Sequence, residues 1–345
     1  MESSDYLRCY GDNTAISLRF NKVVLMNLIF RLLLGLMFWV ASSQISAAEP
    51  PSKSNLTEWL FPALNSSPTL YEPHFSNKSP FFKTIYHVGI HPLHNPKHLF
   101  EVYAPLIDLF NAAIPNVTFV LEASRNYDEF EKKLYAGYFD FALPNPYQTI
   151  NALKYGYHVF AKMGDDDDFC GIILVRKDSK IKDISDLKGK IIAYPAPTAL
   201  AATLMPQYYL HTHGLNTNTD IENRYVGSQE SAIMNVLNHD VIAGATWSVP
   251  WNAFIQKNPQ LAEQLEIKWK TKPLLNNSWM AKETISPELI QAVSHVILNL
   301  QQTQSGKAIL ATIPISTFEA ANDATYEPIK AFITLFNKTV RPLNN

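Results

Sequence analysis

The sequence is poor in cysteine and glycine. Of its 345 residues, two are cysteine and 12 are glycine, while 22 are proline. Cys9 precedes a predicted export signal, so the exported chain would keep only Cys170. A single thiol excludes an internal disulfide framework. We predict that Cys170 is a buried strand residue and not a nucleophile.

The chain also lacks an excess of charge of either sign. Charged residues make up 17% of it, and the formal net charge is −2. A nucleic-acid-binding protein usually carries a basic patch or has a high isoelectric point, so we expect no nucleic-acid partner. Hydrophobic residues make up 47% of the chain, which is typical of a globular protein long enough for more than one core.

Motifs of catalysis and metal binding are missing as well. The chain contains no G-x-x-x-x-G-K-[ST], no G-x-S-x-G and no H-E-x-x-H, which mark phosphate-binding loops, serine hydrolases and zinc proteases. The acidic run 165–168 lacks the spacing of a calcium loop, so we predict a solvated hinge loop there. His211 and His213 would point apart on a helix. We therefore predict no catalytic residue, no metal site and no cofactor.

The longest apolar run lies near the N-terminus, at residues 32–40, with an arginine ahead of it and small residues up to Ala48. This order predicts a secretory signal peptide at 26–48 that is cleaved after Ala48. A membrane anchor is the alternative, but the run is shorter than the about 20 residues that span a bilayer. We interpret residues 1–25 as a misannotated extension ahead of Met26. We expect a periplasmic protein without stable membrane insertion.

Residues 49–83 are rich in proline, serine and asparagine, and we predict an N-terminal linker or extension there. Beyond it, segments with strand and helix periodicity alternate. Strands are predicted at 85–90, 117–121 and 139–143, and helices at 98–113 and 127–136. This β-α-β-α-β order indicates a mainly parallel sheet with helices on both faces.

A second αβ unit is inserted into the first. Its strands are predicted at 170–176, 190–194, 222–226 and 241–246, and long helices at 287–302 and 326–338 close the chain. We therefore predict a two-lobed α/β fold in which lobe 1 comprises residues 84–168 and 250–341 and lobe 2 comprises residues 169–249. The hinge crossings would lie near 165–169 and 247–251. Ligands of such sheets sit beyond the carboxyl ends of the strands, so we expect a cleft between the lobes that closes by hinge motion.

The stretch 189–209 is the centre of the functional prediction. An apolar strand at 191–194 leads through the turn Pro195-Ala196-Pro197 into a helix that we predict to begin at Thr198. The first N–H groups of a helix, together with the helix dipole, form a site for an anionic or strongly polar ligand. A ligand platform is therefore expected at this helix start.

Further polar and aromatic residues follow other strands or precede other helices. The predicted ligand-binding residues are Asn145, Tyr147, Thr198, Ser228, Gln229, Trp247 and His94. Helix capping is an alternative role for Asn145, Thr198 and Ser228. Core or hinge packing is an alternative role for Tyr147 and Trp247.

Several segments, taken in order, resemble one protein family. They are YAPL (103–106), DFALPNPY (140–147), ISDLKGK (184–190), YVGSQESA (225–232) and LLNN (274–277). Over residues 86–341 the chain resembles the periplasmic phosphate-, phosphite- and phosphonate-binding proteins of ABC importers, which have the type II periplasmic-binding-protein fold. The resemblance implies a non-enzymatic protein that captures a small polar or anionic solute, phosphonate- or phosphate-like, for an ABC permease and its ATPase.

We expect this protein to be a monomer. A periplasmic ligand sensor for a histidine kinase is the alternative function, and an enzyme on the same bilobal fold is a third.

The ligand loop departs from that family. Its phosphonate-binding members place a Ser/Thr-rich run at the helix start, whereas residues 198–203 here read TALAAT, with hydroxyls only at Thr198 and Thr203. Those proteins also tend to have a histidine where this chain has Gln229. Hydroxyl donors and a cation both strengthen a site for a phosphorus oxyanion, so the sequence leaves the charge preference of this site open.

Overall fold

The computed structural model describes residues 83–343. The signal peptide predicted at 26–48, the extension at 1–25 and nearly all of the linker at 49–83 lie outside the described residues, as does Cys9. Within residues 83–343, no helix combines the length and the apolar character that crossing a bilayer requires.

Strands and helices alternate along the described chain. The strands are β1 (Thr84–Ile90), β2 (Val117–Glu122), β3 (Phe141–Leu143), β4 (Tyr157–Met163), β5 (Gly171–Arg176), β6 (Ile191–Tyr194), β7 (Glu222–Tyr225), β8 (Ala243–Trp247), β9 (Leu265–Lys270), β10 (Ser278–Lys282) and β11 (Phe318–Ala320). The helices are α1 (Pro96–Ala113), α2 (Tyr127–Tyr135), α3 (Pro146–Ala152), α4 (Met205–Thr212), α5 (Gln229–Leu237), α6 (Ser248–Lys257), α7 (Pro259–Ala262), α8 (Pro287–Leu298), α9 (Gln304–Thr312) and α10 (Glu327–Thr339).

The strands of residues 83–343 form two separate sheets, one for each lobe. The order is β11-β4-β10-β3-β1-β2 in lobe 1 and β7-β6-β8-β5-β9 in lobe 2. Among the described strands, four pairs are parallel and five are antiparallel. The predicted α/β class is confirmed, but the sheets are mixed and not mainly parallel. The reversed strands are β5, which follows the first crossing, and β10 and β11, which follow the second.

Helix α1 shows how the predicted periodicity becomes a packed helix. Asn95 caps it by accepting a hydrogen bond from the His98 N–H at 3.0 Å, and Pro96 occupies a first-turn position where no N–H is needed. Its buried side chains recur three and four residues apart: Leu99, Val102, Tyr103, Leu106, Ile107 and Phe110. The helix predicted at 98–113 is confirmed and begins two residues earlier.

An aromatic cluster forms the centre of lobe 1. The ring of Phe119 lies 5.5 Å from that of Phe110 and 5.7 Å from that of Phe141. Trp279, which is fully buried, lies 6.1 Å from Phe110. Because Trp279 belongs to β10, this core is complete only after the chain has returned from lobe 2.

The sheet of lobe 2 is covered on both faces. Along β5 successive side chains point to opposite faces. Ile172 and Leu174 pack in the cluster that includes α5 and α6, whereas Ile173 and Val175 pack in the cluster that includes α4. The apolar run of this strand is therefore buried on both sides.

The second crossing lies later in the chain than predicted. Strand β9 pairs with β5, and Trp251 and Phe254 of α6 belong to a core cluster of lobe 2. Residues 250–270 therefore belong to lobe 2, and the prediction that lobe 1 resumes at residue 250 is wrong. The chain returns at 271–277. An edge strand such as β9 carries no signal that assigns it to one of two sheets, which explains the error.

The two crossings are tied to each other by Asp166. Its carboxylate accepts hydrogen bonds from the Asn276 N–H and from Lys162 Nζ, both at 2.9 Å. Lys162 is buried and also pairs with Glu319 at 2.7 Å. The first two aspartates of the run 165–168 are half-buried and the last two are exposed, so the prediction of a solvated loop is correct only for its second half.

We expect Asp166→Asn to lower the free energy of unfolding by about 1–3 kcal/mol, because an amide cannot accept both hydrogen bonds and leaves Lys162 with one fewer anion. Asp167→Asn, at an exposed position in the same turn, is the matched control and should leave stability unchanged. Urea unfolding of both variants measures the difference. Equal stabilities would show that the two crossings are not held by this carboxylate.

Candidate ligand-binding site

A small cavity lies between the two lobes, beyond the carboxyl ends of β1, β3, β6 and β8. Both lobes and both crossings contribute to it. Its lining residues are His91, Tyr127, Asn145, Phe169, Ala199, Leu200, Ala201, Ala202, Gln229, Trp247 and Asn277. The free space is about 10 Å³, about what one water molecule requires. We call this the interlobe cavity. It lies where α/β sheets bind their ligands.

The structure brings three of the seven predicted site residues into the interlobe cavity. Asn145, Gln229 and Trp247 line it. Thr198 directly precedes a lining residue and bridges the lobes, as described below. The other three lie elsewhere, and the ligand-binding role of all seven stays a prediction.

Tyr147, Ser228 and His94 do not line the interlobe cavity. Tyr147 is buried at the start of α3. The Ser228 hydroxyl caps α5 by accepting a hydrogen bond from the Ser231 N–H at 3.1 Å. His94 lines a neighbouring cavity of about 40 Å³ together with Glu230 and Lys257, which we call the side cavity. Burial lowers the pKa of His94 to about 3, so its imidazole is neutral.

Asn145 has two roles at once. Its Oδ1 caps α3 by accepting hydrogen bonds from the N–H groups of Tyr147 and Gln148, at 2.9 and 3.2 Å. Its Nδ2 donates to the Thr198 carbonyl of lobe 2 at 3.3 Å. Helix capping and a position in the cleft were alternative predictions for Asn145. The structure shows that the residue does both.

The predicted helix start at Thr198 is wrong by two residues. The first helical turn is the wide π-helical segment Leu200–Leu204, which continues into α4. Its cap residue, Ala199, is extended. Thr198 is not a helix cap, and its hydroxyl donates across the lobes to Glu131 Oε1 at 2.5 Å. Residues that precede proline are biased against helical conformation, which keeps the Pro195-Ala196-Pro197 segment out of the helix.

This wide turn places backbone donors at the interlobe cavity. The Ala199 carbonyl accepts hydrogen bonds from both Thr203 N–H, at 2.8 Å, and Leu204 N–H, at 3.1 Å. The N–H groups of residues 200–202 belong to the first turn, where no intrahelical carbonyl is available. Because these residues line the cavity, their N–H groups are the donors that a ligand can use.

Gln229 joins the lobes from the start of α5. Its Nε2 donates to the Tyr127 hydroxyl at 3.2 Å, and its Oε1 accepts from the Thr246 hydroxyl at 2.9 Å. Burial raises the pKa of the Tyr127 phenol. The phenol is therefore protonated and, because it accepts from Gln229, keeps its own hydrogen for another partner.

His91 is a lining residue that the sequence analysis did not single out. Its Nδ1 lies 2.9 Å from the Leu143 carbonyl. A carbonyl only accepts, so Nδ1 carries the proton and Nε2 carries a lone pair. Burial lowers the pKa of His91 to about 4, and the ring is neutral at pH 7. The feature of the sequence that could have identified His91 as a lining residue is its position directly after β1.

The sequence analysis also did not predict Asn277 as a lining residue, although it identified the segment 274–277 that contains it. Its Nδ2 lies 3.4 Å from the Met163 sulfur. The sulfur can accept but not donate, which sets the orientation of the amide. Within residues 83–343, the buried Oδ1 of Asn277 has no hydrogen-bond partner. One residue of the cavity lining thus carries a buried, unpaired acceptor.

Glu131 is an acidic group that bonds across the lobes beside this arrangement. Its Oε1 accepts hydrogen bonds from Thr198 of lobe 2 and from Gln148 Nε2 at 3.0 Å. Burial raises the pKa of the Glu131 carboxyl, and the two hydrogen bonds oppose this only in part. Contact between the lobes therefore removes a carboxyl group from water.

Within residues 83–343, four more hydrogen bonds join the lobes outside the cavity. One runs from Asn218 Nδ2 of lobe 2 to the Val340 carbonyl of lobe 1, at 2.5 Å. Asn95 Nδ2 donates to Glu230 Oε2 at 3.2 Å. Arg341 donates to Gln207 Oε1 at 3.1 Å and to the Pro197 carbonyl at 3.0 Å. Together with those of Thr198, Asn145 and Gln229, we call these the interlobe hydrogen bonds.

Comparison with known proteins identifies the family. The model of the family described as "ABC transporter, phosphonate, periplasmic substrate-binding protein" matches residues 88–326. A probable ABC transporter phosphite-binding protein of Prochlorococcus marinus is 26% identical over 204 residues, which are 55% of this chain and 67% of that protein. The phosphonates-binding periplasmic protein of Escherichia coli is 20% identical over 166 residues, 47% of this chain and about half of that protein (49%).

Solved structures show the same fold. A binding protein component of an ABC phosphonate transporter from Pseudomonas aeruginosa has a TM-score of 0.67 at 18% identity and covers 74% of this chain and 88% of its own. A Prochlorococcus marinus protein in complex with methylphosphonate has a TM-score of 0.67 at 21% identity, with 74% and 99% covered. The match of the family model over most of the described residues is the decisive finding. The chain therefore belongs to the phosphonate family of periplasmic substrate-binding proteins of ABC transporters.

Proposed function

We propose that this protein captures a small polar solute between its two lobes and presents it to an ABC permease whose ATPase drives import. The observation that carries this function is the convergence of polar groups from both lobes and from a crossing on one buried cavity. His91 and Tyr127 come from lobe 1, Gln229 from lobe 2 and Asn277 from the second crossing. Its relatives named for phosphite and phosphonate binding support a solute of a few heavy atoms.

Capture would proceed by opening and closing of the lobes. The free space of about 10 Å³ is too small for any solute larger than water, so the lobes must part before a solute can enter. Parting breaks the interlobe hydrogen bonds, each of which stabilises the closed arrangement by about 0.5–1.5 kcal/mol. A bound solute that contacts both lobes stabilises the closed arrangement further, because it makes contacts with both lobes only when they are closed.

We propose a binding protein and not an enzyme. Within the described residues, no serine, cysteine or lysine side chain lines the interlobe cavity, and the histidine there has no nucleophile bonded to it. The family consists of transporter components, which favours import over signalling through a histidine kinase. We further propose that the protein acts as a monomer in the periplasm after removal of its signal peptide.

Thr198→Val should shift the lobes toward the open arrangement, because valine keeps the shape of threonine but cannot donate to Glu131. We expect about a 2- to 10-fold change in the ratio of open to closed protein, the effect of one hydrogen bond. Small-angle X-ray scattering would detect it as a larger radius of gyration.

Thr203→Val is the matched control. The Thr203 hydroxyl donates to the Ala196 carbonyl within lobe 2 at 2.7 Å, so its loss should lower stability without opening the lobes. A radius of gyration that is unchanged in Thr198→Val, or increased equally in both variants, would contradict closure through the Thr198 contact.

Closure should also depend on pH through Glu131. Its pKa is raised in the closed arrangement, and opening would return the carboxyl to water and to its ordinary pKa of 4.5. The closed arrangement then holds the proton more tightly, so closure should strengthen as pH falls from 7 through the raised pKa and weaken as pH rises. Glu131→Gln should remove this dependence.

The same scattering measurement, made between pH 7 and pH 5, would compare the two proteins. The native protein and Glu131→Gln both contain His91, so its titration contributes equally to the two pH profiles and cancels when they are compared. Glu129→Gln, which changes a half-buried carboxylate of the same helix that pairs with Arg125 at 2.8 Å, should keep the pH dependence of the native protein. An identical pH dependence in Glu131→Gln and the native protein would exclude Glu131 as its source.

A further inference from the structure

A groove of about 650 Å³ lies beside the second crossing and shares no lining residue with the interlobe cavity. Helix α4 of lobe 2, the segment 270–274 and helix α10 of lobe 1 contribute to it. We call it the crossing groove. Its apolar lining residues are Met205, Tyr208, Tyr209, Pro273, Leu274 and Phe332. Cavities of roughly 300–1,000 Å³ hold small organic molecules, so this groove has the size of a ligand site.

Aromatic rings from both lobes line the crossing groove. The ring of Tyr208, from lobe 2, meets the ring of Phe332, from lobe 1, edge to face at 5.5 Å. The ring of Tyr209 stacks on the His213 imidazole at 4.0 Å. The three rings of Tyr208, Tyr209 and Phe332 are half-buried, so each leaves part of its surface for a ligand. A planar aromatic ligand matches this lining, because paired rings stabilise a contact beyond the area that they bury.

Most polar side chains of the crossing groove already have partners. The Thr212 hydroxyl contacts the carbonyls of Tyr208 and Tyr209, both at 3.0 Å. The Thr271 hydroxyl accepts from the Gly171 N–H and donates to the Lys272 carbonyl, both at 2.9 Å. His213 Nδ1 lies 2.7 Å from the Tyr209 carbonyl. These groups hold the walls in place and are not the ones that would fix the polar end of a ligand.

The charged residues of the crossing groove have one sign. Lys270 and Lys272 line it, both are exposed, and no lining residue is aspartate or glutamate. The nearby Lys268 pairs with Glu266 at 3.4 Å, but within residues 83–343 no salt bridge involves Lys270 or Lys272. An ammonium group only donates hydrogen bonds. Charge complementarity therefore favours a ligand whose polar end is an anion.

We infer that the crossing groove is a second ligand site, which binds an aromatic carboxylate: a planar apolar ring that carries one acidic group. The ring packs against Tyr208 and Phe332, and the carboxylate lies beside the two lysines. An aliphatic acid of the same charge has no ring to pair with these side chains and loses more internal rotation on binding. This site is separate from the solute site between the lobes and goes beyond the proposed function.

The crossing groove lies close to the lining of the interlobe cavity. The Leu274 N–H donates to the carbonyl of Phe169, a lining residue of that cavity, at 3.1 Å. Met205, at the other end of the groove, directly follows the wide turn 200–204. A ligand in the groove therefore contacts lobe 1, lobe 2 and the crossing that joins them.

Calorimetric titration of the purified protein tests the class of ligand with three probes. Indole-3-acetate is compared with the uncharged indole-3-acetamide and with the aliphatic octanoate, at neutral pH and low ionic strength. We expect indole-3-acetate to bind about 3- to 10-fold more tightly than the amide, the effect of one or two exposed charge pairs, and more tightly than octanoate. The advantage over the amide should shrink in high salt, which screens exposed charges.

The double variant Lys270→Gln/Lys272→Gln should bind indole-3-acetate no better than the amide and leave the affinity for the amide unchanged. Lys177→Gln/Lys180→Gln is the matched control. It removes two exposed lysines of the same lobe that do not line the groove, so it makes the same change in net charge and should keep the preference for the carboxylate.

The two aromatic walls are tested one lobe at a time. Tyr208→Leu in lobe 2 and Phe332→Leu in lobe 1 should each weaken binding of both indole probes about 3- to 10-fold, the effect of one lost aromatic pair. Failure of indole-3-acetate to bind, tighter binding of octanoate, or an unchanged preference in the Lys270/Lys272 double variant would overturn the inference. Full affinity in either ring variant would also overturn it, because the probe would then not lie between the two lobes in this groove.

Discussion

The carboxylate of Asp166 holds together the two chain segments on which the arrangement of the lobes depends. It lies in the first crossing, binds Lys162 Nζ next to it and accepts the N–H of Asn276 in the second crossing. Asn276 in turn donates its side-chain amide to the Gly164 carbonyl at 2.8 Å. These hydrogen bonds hold the two segments side by side where they connect the lobes. The same connection sets the positions of Phe169 and Asn277, which border the interlobe cavity.

Closure of the lobes brings together polar groups that could not contact the same solute if the lobes were apart. Lobe 1 supplies an acceptor, His91, and a phenol, Tyr127. Lobe 2 supplies the wide helical turn with its free N–H groups, and Gln229, which orients the phenol. The polar contacts between the lobes are hydrogen bonds of modest free energy, and Glu131 is partly withdrawn from water when they form. Apolar side chains also pack across the lobes, among them Tyr208 of lobe 2 against Phe332 of lobe 1 at 5.5 Å. The proposed capture and release of a solute requires that these contacts together be strong enough to hold the closed arrangement and weak enough to let it open.

Much of the fold could be predicted from the sequence because most elements carry their own periodicity. The apolar spacing of α1 and the continuous apolar run of β5 each indicate an element without reference to the rest of the chain. The short return strand β11 has three residues, and β10 has five; neither is long enough to show a period. The assignment of β9 to lobe 2 depends on pairing with β5, which is information about a distant segment.

The candidate site was predictable in position but not in detail. Strand ends followed by polar residues pointed to Asn145 and Gln229, and the structure places both at the cavity. The two acceptors were missed for a physical reason: neither the tautomer of His91 nor the unpaired oxygen of Asn277 exists until the fold has placed Leu143 and Met163 beside them. The helix start was misplaced because the sequence does not distinguish a π-helical first turn from an α-helical one. The two turns differ only in which N–H groups donate to the carbonyl of the cap residue, here Ala199.

The measurement that most directly tests the interlobe cavity as the ligand site is a crystal structure of the protein with a bound probe, namely the small polar solute that raises its melting temperature most. The structure predicts the probe between the lobes, within hydrogen-bond distance of His91 Nε2 and Asn277 Oδ1 and in contact with the first turn before α4. A probe bound instead in the side cavity, beside His94, Glu230 and Lys257, or on one lobe alone, would contradict it.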